Sequence, residues 1–137
     1  MNKALRRLTT GCATAVSVGA VLLVSAGSAA ANTERNGYLE TSEFGLYYNS
    51  NNGGCVFDLM SSDWNFFNDL FVGPEGCAGR NRVTNDDTAS YRNRDTYTWK
   101  VGTEANLAGL IGSLPPGYVG NASINFKNKI TSATFLD

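Results

Sequence analysis

Two six-residue stretches, Asn85-Asp86-Asp87-Thr88-Ala89-Ser90 and Lys127-Asn128-Lys129-Ile130-Thr131-Ser132, bring oxygen donors together at close spacing. Each runs from acids or amides into hydroxyls, and each follows a Tyr- or Trp-led strand with an Asn-x-x-Gly hairpin, Asn51 to Gly54 and Asn106 to Gly109. Carboxylates, carbonyls, hydroxyls and water are the ligands of a hard cation such as calcium, which takes about six to eight of them in flexible geometry. The same side chains have a second use, because Asx and Ser/Thr residues cap turns by bonding nearby backbone. Ser90 and Ser132 are the best placed for that role. A repeat of roughly forty residues has the size of one supersecondary unit that needs its twin to complete a core.

Catalytic groups are scarce. The chain has no histidine, which removes the commonest general base and rules out a Ser-His-Asp triad or an HExxH zinc site. Asp86 and Asp87, with Asp95 nearby, are the remaining acids that could serve a glycosidase. Such an enzyme needs two carboxyls facing across a sugar-sized cleft, and a domain of this size has little room for one. The expectation is a protein that is not an enzyme.

Residues 1–31 read as an export signal. Lys3, Arg6 and Arg7 precede an uncharged apolar run from Ala13 to Ser25, and Ala29-Ala30-Ala31 supplies small residues for cleavage after Ala31. The run is too short to span a bilayer, so the expected location is extracellular, with no membrane span. The remaining residues, 32–137, make one small domain. Without Lys3, Arg6 and Arg7, eight basic residues stand against twelve acidic ones. That balance argues against nucleic acid, whose binding depends on clustered Lys and Arg. Arg80, Arg82, Arg92 and Arg94 lie among Asp86, Asp87 and Asp95 and read as a mixed surface network. Cys55 and Cys77 are the two cysteines left after processing, and an even pair in an exported protein reads as a disulfide. With no histidine or third cysteine beside them, they do not make a zinc site.

The elements that must position these groups are strands. Phe44, Leu46 and Tyr48 alternate, as do Tyr97, Trp99 and Val101, while Val56, Phe57 and Leu59 follow a glycine pair. Asn49 to Gly54 is rich in residues that tolerate positive φ and reads as a hairpin loop. The best helical candidate is Ser62 to Phe71, with Asp63 as cap and Trp64, Phe67, Leu70 and Phe71 on one face; it reads equally as a covering loop. Of the aromatics Trp64, Phe66, Phe67, Tyr91 and Trp99, most are expected in the core rather than on a binding face. Glycine content and regular turn signals point to an all-β domain.

Leu46-Tyr47-Tyr48-Asn49-Ser50-Asn51-Asn52-Gly53-Gly54, followed by the strand Cys55 to Leu59, resembles the opening of a Greek-key motif of the βγ-crystallin family, with Asn52 where that family usually has an aromatic. A second copy begins at Thr98-Trp99, passes through Ala105-Asn106-Leu107-Ala108-Gly109, and ends at Leu114-Pro115-Pro116-Gly117. The resemblance implies a β-sandwich of two Greek-key motifs, about 38–95 and about 96–137, holding one disulfide. It also implies how the polar turns would share a cation, since each site in calcium-binding relatives mixes one turn's acidic side and carbonyl with the other turn's hydroxyl. Asp86, with the Asp87 carbonyl, would join Thr131 in one weak surviving site. Asn128 and the Lys129 carbonyl would face Ala89 in a degenerate second site, where Lys127 adds an unhelpful positive charge.

By the same resemblance the chain is expected to be a secreted, monomeric, non-enzymatic binding protein of peptidase-inhibitor type, with a secreted peptidase as partner. Gly73-Pro74-Glu75-Gly76-Cys77, tied back to Cys55, and Pro115-Pro116-Gly117-Tyr118 are the loops that could dock it, since a rigid scaffold lowers the ordering cost of binding. Both also read as ordinary turns. The alternatives are a calcium-linked structural module and a killer-toxin-like antimicrobial protein.

Overall fold

The computed structural model describes residues 32–135; the expected signal segment, with its cleavage point at Ala31, lies outside them. Seven strands run in the order β1 (Phe44–Asn49), β2 (Gly53–Leu59), β3 (Ser90–Asn93), β4 (Trp99–Glu104), β5 (Ala108–Leu114), β6 (Val119–Asn121) and β7 (Ser132–Phe135). They form two antiparallel sheets, β2-β1-β3-β6 and β5-β4-β7. The all-β sandwich expected from the sequence is what the chain adopts.

The two motifs interlock. β6, from the second half of the chain, pairs with β3 in the first motif's sheet. In return Asp63, from the first half, bridges Ala133 of β7, each backbone N–H donating to the other's carbonyl at 2.8 Å. Neither half can therefore close its sheet without the other. Inward-facing residues of both sheets meet in one core, where Phe44 stacks on Trp99 at 4.9 Å and Phe57 meets Phe66 edge-on at 5.1 Å. Such pairs add to the burial that drives folding.

The hairpins between β1 and β2 and between β4 and β5 repeat one backbone shape. Asn51, Asn52 and Gly54 take positive φ of 58°, 53° and 75°; Asn106, Leu107 and Gly109 take 59°, 54° and 72°. Asn and Gly tolerate that region, which explains the Asn-x-x-Gly spacing. Asn52 stands where the resemblance expects an aromatic, and its amide donates to the Tyr91 carbonyl at 2.9 Å.

Cys55 and Cys77 are bonded, with Cα atoms 5.2 Å apart. Beside them Val56 and Val72 exchange backbone hydrogen bonds of 3.0 Å, and the Cys55 N–H donates to Ala78 O at 2.8 Å. The segment around the disulfide is thereby laid along β2.

The covering-loop alternative holds for one segment, and the charge network needs correction. The Ser62–Phe71 segment is not a helix: it holds one 3-10 turn, Phe66–Asn68, capped by Asn65 rather than Asp63. Its backbone groups are taken across the chain, Phe66 N–H by Thr131 O at 2.8 Å and Phe71 N–H by Arg82 O at 2.9 Å, so no helical ladder forms. A single turn buries one face only. Phe66, Tyr91 and Trp99 are inside, so most of the five aromatics join the core as expected, whereas Trp64 and Phe67 are exposed. The mixed charge network reduces to one pair. Arg82 Nε meets Asp87 at 2.8 Å, Arg94 donates to Leu39 O and Thr41, and buried Asp95 accepts from Trp99 Nε1 at 3.0 Å.

Candidate metal centre at the paired turns

The two polar turns face each other with two-fold symmetry. Asp86 N–H donates to Ile130 O at 3.0 Å, and Asn128 N–H donates to Thr88 O at 2.9 Å. Both second-position residues are left-handed, Asp86 at φ 57° and Asn128 at φ 58°, a conformation Asn and Asp accept more readily than other side-chain-bearing residues.

Each turn is also stapled to its own motif's hairpin. The buried Ser90 hydroxyl donates to Asn49 O at 2.6 Å and accepts Asn52 N–H at 3.0 Å. Ser132 repeats this with Glu104 O at 2.7 Å and Leu107 N–H at 3.0 Å. One residue earlier, Ala89 N–H reaches Tyr47 O and Thr131 N–H reaches Gly102 O, both at 2.9 Å. The final serines are therefore structural, and the residues just before them decide what the turns can hold.

In the first site the hydroxyl survives. Thr131 Oγ1 lies 3.3 Å from Asp86 Oδ1 and 3.2 Å from the Thr103 carbonyl. A carboxylate, a hydroxyl and a backbone carbonyl thus converge from three segments, all hard oxygen donors of the kind calcium takes. Asp87 Oδ2 accepts from Arg82 Nε at 2.8 Å, and the residue lines the cleft of the second site instead. Asn85 Oδ1 and Thr88 Oγ1 in the first turn, and Thr84 Oγ1 just before it, are buried and without a hydrogen-bond partner. Buried polar atoms normally find a protein, water or ion partner, so this turn is under-satisfied in a way an ion or water would relieve. The residues fit a calcium ion held mainly by Asp86, Thr131 and Thr103.

In the second site the hydroxyl is gone. Ala89, buried, places a methyl at the position Thr131 occupies in the first. A polar cleft of about 200 Å³ remains there, lined by Tyr48, Asn49, Ser50, Asp87, Ala89, Lys127 and Asn128. Lys127 brings a positive charge to its wall. With a methyl in place of the hydroxyl and an ammonium on the wall, this cleft suits a calcium ion less well than the first site.

Thr103 was not among the residues singled out from the sequence. A carbonyl ligand has no side-chain signature, and the only signal was positional: Tyr47–Asn49 and Gly102–Glu104 hold matching places beside the two serines. The expected docking loops are solvent-exposed at Pro74, Glu75, Pro115 and Pro116, but they are not brought together. One is laid along β2 and the other leads into β6, at opposite edges of the four-stranded sheet. Among the described residues, no three His, Cys, Asp or Glu side chains cluster as a metal site, so any cation site depends on hydroxyl and carbonyl donors. Of the three acids singled out from the sequence, Asp95 accepts from Trp99 Nε1 and Asp87 from Arg82 Nε.

No family model and none of the curated proteins compared with it matches the sequence. Solved structures do match in fold. A domain solved in work on the evolution of the eye-lens βγ-crystallin fold superposes with a TM-score of 0.56 at 15% identity, covering 77% of this chain and 93% of that one. A double mutant of a βγ-crystallin domain from Clostridium beijerinckii gives 0.52 at 16% identity, covering 69% and 97%. An archaeal βγ-crystallin gives 0.51 at 22% identity, covering 71% and 100%. The chain has the βγ-crystallin fold.

Proposed function

We propose that the protein is an exported, non-enzymatic binding domain whose fold is stabilised by one calcium ion. The observation that carries this reading is the convergence of Asp86, Thr131 and the Thr103 carbonyl across the two turns. With a single carboxylate among these donors the site is weak, in the range of about 10⁻⁴ to 10⁻³ M seen for extracellular calcium modules. It would be filled outside the cell, where the amino-terminal signal directs the chain, and nearly empty inside. When bound, calcium supplies a charge-neutralising cross-link between the turns. The chain's own residues set its place: Ser90 and Ser132 hold the turns to their hairpins, and the Arg82–Asp87 pair turns the second carboxylate away.

A cation that binds only the folded form stabilises it by mass action. At about 10 mM calcium and a Kd of about 0.5 mM the gain is about 2 kcal/mol, read as a higher melting temperature than in chelator. Thr131→Val and Asp86→Asn are expected to abolish the gain, and Asn128→Ala to leave it intact. Absence of any calcium heat and of any melting shift in the unaltered protein would sink the proposal. Peptidase inhibition and a toxin-like role draw no comparable support, since the two exposed loops lie on opposite edges and neither builds a shared docking surface. Inhibition assays against secreted metallo- and serine peptidases test the former directly.

A further inference from the structure

Three of the four outer sheet edges are closed or short. β2 is covered by Val72 and Ala78, β7 is bridged by Asp63, and β6 has three residues. Among the described residues β5 alone is long and uncovered, and Ala108–Leu114 carries no charge, with Leu110 and Ile111 more than half exposed. Soluble proteins normally blunt such an edge with charge, proline, a bulge or a covering segment. Between the irregularity at Gly109 and the proline at Pro115, β5 has none of these. We propose that β5 is a self-pairing edge: two copies of the chain join antiparallel about a two-fold axis at Ile111, fusing their three-stranded sheets into one of six strands.

Backbone phase sets that register. Leu110 N–H turns inward to Thr103 Oγ1 at 2.9 Å, so by strand alternation Ile111 and Ser113 present their N–H and C=O groups outward. An axis at Ile111 makes the two Ile111 residues a hydrogen-bonded pair. It also sets Leu110 opposite the partner's Gly112, and Gly109 opposite the partner's Ser113.

Shape and charge select a second copy as the occupant. On the core-facing side of β5, a cleft of about 190 Å³ has Val101, Leu114, Tyr118 and Phe126 on its apolar side and Ser113, Asn121 and Ser123 on its polar side. Gly112 pairs with core-facing Val101, so Leu110, two positions away, leans to the same side. Leu110 of each copy therefore stands directly across from the other's open cleft. On the outer face, Lys100 lies opposite Ser113, and the Glu104 side chain covers Gly109, its Cγ 3.2 Å from where a Cβ would sit. The join brings Glu104 and the partner's Lys100 to either side of a Gly109–Ser113 pair too small to separate them. Two-fold symmetry repeats each of these contacts. An unrelated extended peptide would gain the backbone bonds of strand addition without the leucine or the charge pair. The monomer expected from the sequence is thus the dissociated form.

Sedimentation equilibrium of the purified protein from about 1 to 500 µM is expected to show a monomer–dimer equilibrium. Ile111→Lys, which sets two ammonium groups face to face at the axis, is expected to leave monomer throughout. Leu110→Ala is expected to weaken association at least about tenfold. Lys100→Glu is expected to weaken it as well, and Lys100→Glu with Glu104→Lys to restore it. Leu110, Ile111 and Glu104 are exposed and Lys100 half-buried, so melting temperature at low concentration serves as the folding control. A protein that stays monomeric to 500 µM, or an Ile111→Lys variant that dimerises like the unaltered chain, would overturn the proposal. Loss of dimer in Ile111→Lys without rescue by the charge swap would overturn the register at Ile111.

Discussion

Glu43 offers the sharpest test of the energetics. It is 0% exposed just before β1, its Oε2 accepts Glu40 N–H at 2.7 Å, and its Oε1 has no partner. Burial pushes its pKa from 4.5 up to about 7, opposed by the Glu40 N–H and assisted by the charges of Asp58, Glu40 and Glu34. Because the folded value is raised, the native state holds this proton more tightly than the unfolded chain does. Stability is full below about pH 4.5, falls as pH rises toward 7, and levels off above. At about 1.36 kcal/mol per unit, the displacement corresponds to about 3 kcal/mol as an upper figure. Relaxation and water entry bring the expected loss to about 2 kcal/mol. Glu43→Gln keeps the acceptor for Glu40 N–H and cannot ionise. It is expected to match the unaltered protein near pH 4 and to exceed it by about 2 kcal/mol at pH 8. Urea unfolding at the two pH values reads the difference directly. Asp69, raised to about 6 by burial and by Asp63, adds a slope of the same sign, which the comparison of the two proteins cancels. If the variant tracked the unaltered protein at both pH values, the reasoning would fail.

The remaining predictions concern the scaffold. Ser132→Ala removes a buried hydroxyl and strands Glu104 O and Leu107 N–H, so urea unfolding is expected to show a loss of about 2 kcal/mol. Ser90→Ala, its counterpart, is expected to cost a similar amount, and unequal losses would contradict the symmetry of the turns. Replacing both Cys55 and Cys77 by Ser opens a loop of 22 residues, with an expected loss of about 3 kcal/mol in thermal unfolding. Gly79→Ala combines a φ of +82° with a Cβ 2.2 Å from the Tyr48 ring. It is expected to destabilise the fold by about 2 kcal/mol or more and to shift Tyr48 fluorescence.

Much of the fold could be read from local signals. Alternation in Phe44-Gly45-Leu46 and Trp99-Lys100-Val101 marks strands because side chains of a strand point to opposite faces. The Asn-x-x-Gly spacing marks both hairpins because few other residues accept positive φ. Ser62 to Phe71 left helix and covering loop open because its apolar spacing suits a helix, while the partners for its backbone, Thr131 and Arg82, come from distant chain. Trp64 and Phe67 are exposed, since without a helical face nothing brought them inside.

The candidate site divides the same way. The residue types in each turn are local facts, and Ala89 and Lys127 alone indicated which half was damaged. That Thr131 meets Asp86, which sequence likeness implied, is realised only because β6 and Asp63 exchange between the sheets and set the turns face to face. Thr103 enters through its carbonyl, which no side chain advertises. Composition and spacing thus determined an all-β domain, one disulfide and a set of oxygen donors, and the family resemblance implied the two-motif sandwich. The tertiary structure decided which donors converge, which carboxylate Arg82 engages, and that β5 is the edge left open, because each depends on contacts between residues far apart in the chain.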